Sequence, residues 1–355
     1  MRILKSRLFL LALSCLASLI LAELFCEAYL PEPSDTFIVN LLTYDVKYHH
    51  DLKLKEKLHA PREEAFRVMF LGDSFTWGAT SPEDSFPHQV EDMFQKGGVP
   101  GVPRLDVQSF NLGMISYSPS IYGVVLRDYA SELRPHLVVL AVDDSDLQDD
   151  LVYSPMVMKD SDGLPVSVYP APPGVPQWLL PIARKIKLVR LTMAALHRRR
   201  LKDDRIKRDP RDKKLFTNRY SHYIPENESE WEPEFSRSVQ LIDAIVRYCR
   251  KHEIQIAIVN YPYPPAVTRR YGIGWRKIFG LEGDRIYDPA WHRVQRRYAE
   301  SKQVPYYDFT DDLRLLKDHE GVYSERDGHF SAAGNKLLAE ELVRFIWKIR
   351  ARAGS

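Results

Sequence analysis

The sequence is poor in cysteine. It holds three, and Cys15 and Cys26 lie in an apolar N-terminal segment, which leaves Cys249 alone in the body of the chain. One thiol builds no disulfide framework and no thiol-rich metal site, so cysteine usage does not report the redox compartment. Charge of one sign is also lacking. The formal net charge is +2, which gives no global case for nucleic-acid binding. No Gly-x-Ser-x-Gly occurs, so the standard α/β-hydrolase elbow has no support. No His-Glu-x-x-His, Cys-x-x-Cys or P-loop is present, and Gly272-x-Gly274 lacks the third glycine of a dinucleotide fingerprint because Lys277 stands in its place. No cofactor and no metal is therefore expected. What remains is an ordinary globular composition, 45% apolar and 28% charged, long enough for one large α/β domain with an elaboration or for two modest domains.

The N-terminus is more specific. Arg2, Lys5 and Arg7 precede an apolar run from Leu8 to Ala22, which continues as Leu24, Phe25, Ala28, Tyr29 and Leu30 around Glu23 and Glu27; the next basic residue is Lys47. A basic flank on one side predicts a cytoplasmic N-terminus and export of everything after it. The run spans a bilayer if Glu23 and Glu27 sit at the outer interface. Residues 1–30 are accordingly expected to form a signal anchor or transmembrane helix of a single-pass protein whose body is periplasmic or extracellular. Two other readings stay open. Ala17 or Ala22 ends a cleaved signal peptide, or Ala12-Leu13-Ser14-Cys15 is a lipobox with Ala where Leu is expected. All three export the body.

Residues 31–65 read as a polar juxtamembrane linker. Strand–helix alternation follows. Phe66–Leu71 is a short β-branched and aromatic run ending in Gly72, as a buried parallel strand does. Leu105–Leu112, His136–Val142, Ile254–Asn260 and Val304–Phe309 read the same way. Helical patterns cover Phe86–Gln95, Ile121–Leu133, Phe235–Lys251, Pro289–Ser301 and Ala332–Ile349. Alternation of this kind predicts a three-layer α/β/α sandwich around a five-stranded parallel sheet, built from residues 66–150 and 235–350. Residues 151–234 break the pattern: they show no clear strand, a Pro-rich stretch and then a basic one. From Arg184 to Lys214 there are 14 Lys or Arg against 4 Asp. Ile182, Ile186, Val189, Met193 and Leu196 form one apolar stripe there, on a helix that either packs as a lid or lies on an anionic surface.

Two short motifs carry chemistry. Gly72-Asp73-Ser74 sits at the carboxyl end of the first strand, where ligands bind in open α/β sheets. A serine opening a helix or tight turn there has its backbone N–H free to meet a developing oxyanion. Asp327-Gly328-His329 lies between the last strand and the last helix. A serine hydroxyl needs a base to take its proton and a carboxylate to orient that base, and this loop supplies both from the edge of the sheet that carries Ser74. Ser74, Asp327 and His329 are the expected catalytic set. His319, beside Asp318, is the other candidate base.

In order and spacing these pieces resemble the SGNH/GDSL hydrolase superfamily, over roughly Phe66–Asp150 and Phe235–Ile349. The resemblance implies a flavodoxin-like sandwich and an oxyanion hole. Phe110-Asn111-Leu112-Gly113 is similar to the family's second block, which gives Gly113 a donor role beside Ser74. The third block, usually Gly-x-Asn-Asp, departs: the best register sets Ser145-Asp146 against Asn-Asp, making Ser145 the third donor, while another register puts Asp143 there. The anchor and the phrase GDSFTWG resemble exported members that O-acetylate or deacetylate polysaccharides. The resemblance thus implies a serine esterase acting on an acyl ester of a glycan or lipid, or an O-acyltransferase using the same triad, with a membrane acyltransferase as partner. A tethered, non-catalytic glycan-binding or assembly protein is the remaining alternative.

Overall fold

The computed structural model describes residues 2–30, 58–78, 81–154, 157–168, 186–189, 191–192, 221–269, 281, 285–324 and 328–353. The chain divides into two compact units, Met1–Asp45 with Pro170–Ile206, and Val46–Tyr169 with Lys207–Ser355.

In the smaller unit Arg2–Tyr29 forms one helix, α1. It occupies the segment read as a membrane anchor, but no helix among the described residues is long and apolar enough to cross a membrane. The transmembrane expectation for residues 1–30 therefore gains no support. Its uninterrupted apolar run stops at Glu23, short of the about 20 residues a span needs. Nor does Glu23 stand free at an interface. Its carboxylate accepts the backbone N–H groups of Lys187 and Leu188 at 2.6 and 2.8 Å, as a capping carboxylate does. Of the amphipathic stripe, Ile186 and Val189 are described and residues 187–189 are helical, whereas Ile182, Met193 and Leu196 lie outside the described residues.

The larger unit is the expected α/β sandwich. In chain order it comprises β1 (Phe66–Leu71), α2 (Ser74–Trp77), α3 (Phe86–Lys96), β2 (Val107–Asn111), α4 (Pro119–Leu133), β3 (Leu137–Val142), α5 (Asp146–Tyr153), the hairpin strands β4 (Val157–Lys159) and β5 (Pro165–Val168), α6 (Glu228–Lys251), β6 (Gln255–Asn260), α7 (Ala290–Lys302), β7 (Tyr306–Asp308), α8 (Phe309–Leu315) and α9 (Ala332–Ala353). Five strands form one sheet in the order β2-β1-β3-β6-β7, and every pairing in it is parallel. β1 and β3 are buried along their whole length, which is why FRVMFL and LVVLAV read as continuous apolar runs rather than alternating ones. The antiparallel β4–β5 hairpin falls in the stretch where the sequence shows no strand.

Because all five strands run the same way, their carboxyl ends share one edge. Ser74 follows β1, Gly113 follows β2, Asp143 follows β3, Tyr261 follows β6 and α8 follows β7. The loop that carries His329 leads into α9, whose Leu338, Leu342 and Ile346 are buried in the same core as Phe70, Phe86 and Val90.

Candidate active site

The turn that carries Ser74 is held by its own sequence. Asp73 is the N-cap of α2, accepting Phe75 N–H at 2.9 Å through Oδ1. That oxygen also accepts the Tyr261 hydroxyl at 2.7 Å. Ser74 is thereby the first residue of a helix, where a backbone N–H has no intrahelical partner. Two glycines let this turn sink between strand ends. A Cβ on Gly72 would lie 2.0 Å from Thr76 Oγ1, and one on Gly113 would lie 2.5 Å from Trp77 N. Asn111 fastens the turn from the other side, its Nδ2 donating to the Thr76 carbonyl at 2.9 Å.

Ser74 Oγ and His329 Nε2 are 2.7 Å apart, close enough for the hydroxyl to donate to the ring. Both side chains are half-buried. The imidazole lies on Phe75, with ring centres 4.7 Å apart, and Phe75 is itself packed by Tyr261, Tyr263 and Phe330. Gly328 precedes His329 with φ at +72°, a backbone region that favours glycine. The His329 carbonyl accepts Ser324 N–H at 2.7 Å. Asp327 lies outside the described residues. His319 is engaged elsewhere, its Nε2 2.8 Å from the Leu313 carbonyl.

The two other expected oxyanion donors are committed within the protein. Gly113 N–H donates to Asn111 Oδ1 at 3.0 Å, and the Ser145 hydroxyl donates to Asp143 Oδ1 at 2.9 Å. A carbonyl oxygen entering the site has to draw these donors away or share them.

Asp143 and Asp146 entered the sequence reading only through the register of the third block, and their burial was not foreseen. Asp143, Asp144 and Asp146 are each fully buried. Asp143 Oδ1 accepts Ser145 N, Ser145 Oγ and Asp146 N. Asp146 accepts the Tyr122 hydroxyl at 2.7 Å and Asp143 N–H at 3.1 Å. Burial, then the Asp73 and Asp144 charges, push the Asp143 carboxyl well above the usual carboxylate range. Burial, then Asp143 and Asp73, do the same to Asp146. Asp144 is different. Burial works to raise it, but His292 and His222 outweigh burial and hold it well below the usual range. His292 Nε2 stands 3.1 Å from it and the Tyr223 hydroxyl donates to it. One signal was available: a buried acidic run immediately after a central strand must be paired or neutral.

Comparison with protein-family models and with curated proteins gives no match. Among solved structures the chain is similar to a protein described as a lipolytic protein of the G-D-S-L family from Desulfitobacterium hafniense DCB-2, with 16% identity and a TM-score of 0.41 over 79% of this chain and 99% of that one. It is similar to an acylhydrolase from Bacteroides fragilis NCTC 9343, with 14% identity and a TM-score of 0.41 over 86% and 98%. It is also similar to a carbohydrate acetylesterase family member from Sinorhizobium meliloti, with 14% identity and a TM-score of 0.39 over 79% and 99%.

Proposed function

We propose that this chain is a serine esterase of the SGNH/GDSL type, acting on an acyl ester of a glycan or lipid. The observation that carries the reading is the 2.7 Å contact between Ser74 Oγ and His329 Nε2, at the carboxyl edge of a parallel sheet. His329 takes the hydroxyl proton as Ser74 attacks the acyl carbonyl, and returns it to the departing alcohol. The Ser74 N–H meets the oxyanion, and Gly113 N–H joins it once released from Asn111. Asp327 is assigned the role of orienting the imidazole. Water, activated by the same histidine, then frees the acid. An O-acyltransferase would follow the same course with a sugar hydroxyl in place of that water.

The test uses the purified protein and a small activated acetyl ester. Steady turnover is expected, with Ser74→Ala abolishing it and His329→Ala lowering kcat by about 10⁴-fold or more. A burst without turnover, relieved by an oligosaccharide acceptor, would identify a transferase. No turnover and no labelling of Ser74 by a serine-directed phosphonate would sink the catalytic reading. The binding-protein reading would then lead, and the internal commitments of Gly113 and Ser145 favour it.

The site is also proposed to work outside the cytoplasm. Support comes from the basic residues Arg2, Lys5 and Arg7 ahead of an apolar segment, with none behind it until Lys47, and from the exposure of Leu16, Leu19, Leu21, Leu24 and Phe25 on α1. A cytoplasmic reporter fused after residue 65 that stays active, where an export-dependent one fails, would overturn this.

A further inference from the structure

Ser74 has two acceptors within reach of its one hydroxyl proton. His329 Nε2 stands 2.7 Å away and Asp73 Oδ2 stands 3.2 Å away. Only the first is productive, since a hydroxyl turned to the carboxylate leaves the imidazole no proton to remove. The rival is a strong one. Asp73 is 1% exposed, and a buried carboxylate is stable only with donors around it. Among the described residues its Oδ2 has the Ser74 hydroxyl alone. Which way the serine points therefore depends on how well other donors satisfy Asp73.

Two donors do so, both on Oδ1. One is the Phe75 N–H at 2.9 Å, which the helix start supplies by itself. The other is the Tyr261 hydroxyl at 2.7 Å, and it comes from further off. Tyr261 follows β6, which β3 separates from β1, so it reaches across two strand spacings, about 10 Å. A carboxylate only accepts, so the tyrosine proton goes to Asp73. Thr76 Oγ1, 3.4 Å from the tyrosine oxygen, is then the donor in that contact. The Tyr261 ring is fully buried and stacks on Phe75, with centres 4.9 Å apart. Phe75 in turn carries the His329 imidazole. One side chain thus touches the supports of both partners in the Ser74–His329 contact.

We propose that Tyr261 is a positioning residue: its hydroxyl, donated to Asp73 Oδ1, draws charge from Oδ2 and fixes that carboxylate, which leaves the Ser74 proton to His329. The inference rests on the esterase reading for its effect on turnover, but not for the choice of hydrogen bond. Tyr261→Phe isolates the hydroxyl, because the ring that packs on Phe75 is kept. Asp73→Asn removes the rival. Its Oδ1 still accepts both donors, whereas its Nδ2 donates and cannot take the serine proton.

Two measurements on the full-length protein test this. Tyr261→Phe should lower kcat for the activated acetyl ester by about tenfold, the scale of one hydrogen bond to a charged group, with little change in KM. Phosphonate labelling of Ser74 should slow in step. In the Asp73→Asn background the same substitution should change kcat by less than about twofold, because no rival acceptor remains. A purely structural role would lower both backgrounds alike. Equal losses in the two backgrounds, or a Tyr261→Phe variant as fast as the wild type, would overturn the proposal and leave the esterase reading intact. The second measurement needs no turnover. With the ring neutral, the nitrogen NMR resonance of His329 Nε2 should move in Tyr261→Phe part of the way to its position in Ser74→Ala, where that nitrogen has no serine hydroxyl to accept. An unmoved resonance would overturn the proposal whether or not the protein is an esterase. A wild type that neither turns over nor is labelled would sink the esterase reading instead, and the resonance alone would then decide.

Discussion

At the scale of single residues, close approach is what the site demands. Gly113→Ala places a Cβ 2.5 Å from Trp77 N and 2.6 Å from Thr76 Cβ, so the nucleophile turn must move. The expected result is a fall in kcat of about 10²-fold, read with the same activated ester, and slower phosphonate labelling of Ser74. Tyr261→Phe removes one of the two donors to Asp73 Oδ1. Leaving that buried carboxylate short of a partner should cost about 1–3 kcal/mol, seen as a lower urea midpoint at constant slope. Gly72-Asp73-Ser74 and Gly328-His329 were legible in the chain because each does its work within a few positions. The roles of Tyr261 and Asn111 were not. Their partners Asp73 and Thr76 are brought by the strand order, which no local pattern encodes.

Among elements, the turn between β3 and α5 concentrates the charge. Asp144 and His292 are nearly or wholly buried, with side chains 0% and 4% exposed, so truncating Asp144 strands a buried imidazole. Asp144→Ala should destabilise the larger unit by about 3–5 kcal/mol, measured by urea unfolding. The pair also fixes a pH window. Burial works to lower His292, yet Asp144 raises it above its ordinary value. Its contribution is therefore complete below an unfolded pKa of about 6.5 and is lost as pH rises through the higher folded value. The depressed Asp144 contributes above an unfolded pKa of about 3.9 and loses that contribution as pH falls through its folded value. Stability from the pair should be greatest between these limits. Asp143, Asp146 and Asp150, all raised first by burial, contribute below an unfolded pKa of about 3.9 and lose that contribution as pH rises through their folded values. His292→Asn should flatten the alkaline decline in part, as followed by thermal unfolding across pH. The strands and helices themselves were largely readable from period and length, to within a few residues. α6 begins at Glu228, ahead of the expected Phe235, and runs through Pro233; proline near a helix start removes few hydrogen bonds. The β4–β5 hairpin was missed because three- and four-residue strands are too short to show a period.

For the molecule as a whole, the proposed export segment has a direct readout. The intact chain is expected in the membrane fraction after a high-salt wash, held by apolar contact rather than by charge, and deletion of residues 1–30 should move it to the supernatant. A shortened chain released without any deletion would show cleavage instead. The arrangement of the sheet has another consequence, one of timing. Ser74 and His329 touch across 255 positions of sequence. With translation at about 5–20 residues per second, Ser74 joins the growing chain roughly 13 to 50 s before His329. On the proposed mechanism, every nascent chain is therefore inert until His329, just ahead of the last helix, has been made. A stop codon anywhere between α7 and His329 would yield a fragment that retains Ser74 and most of the sheet and lacks the residue proposed to activate it.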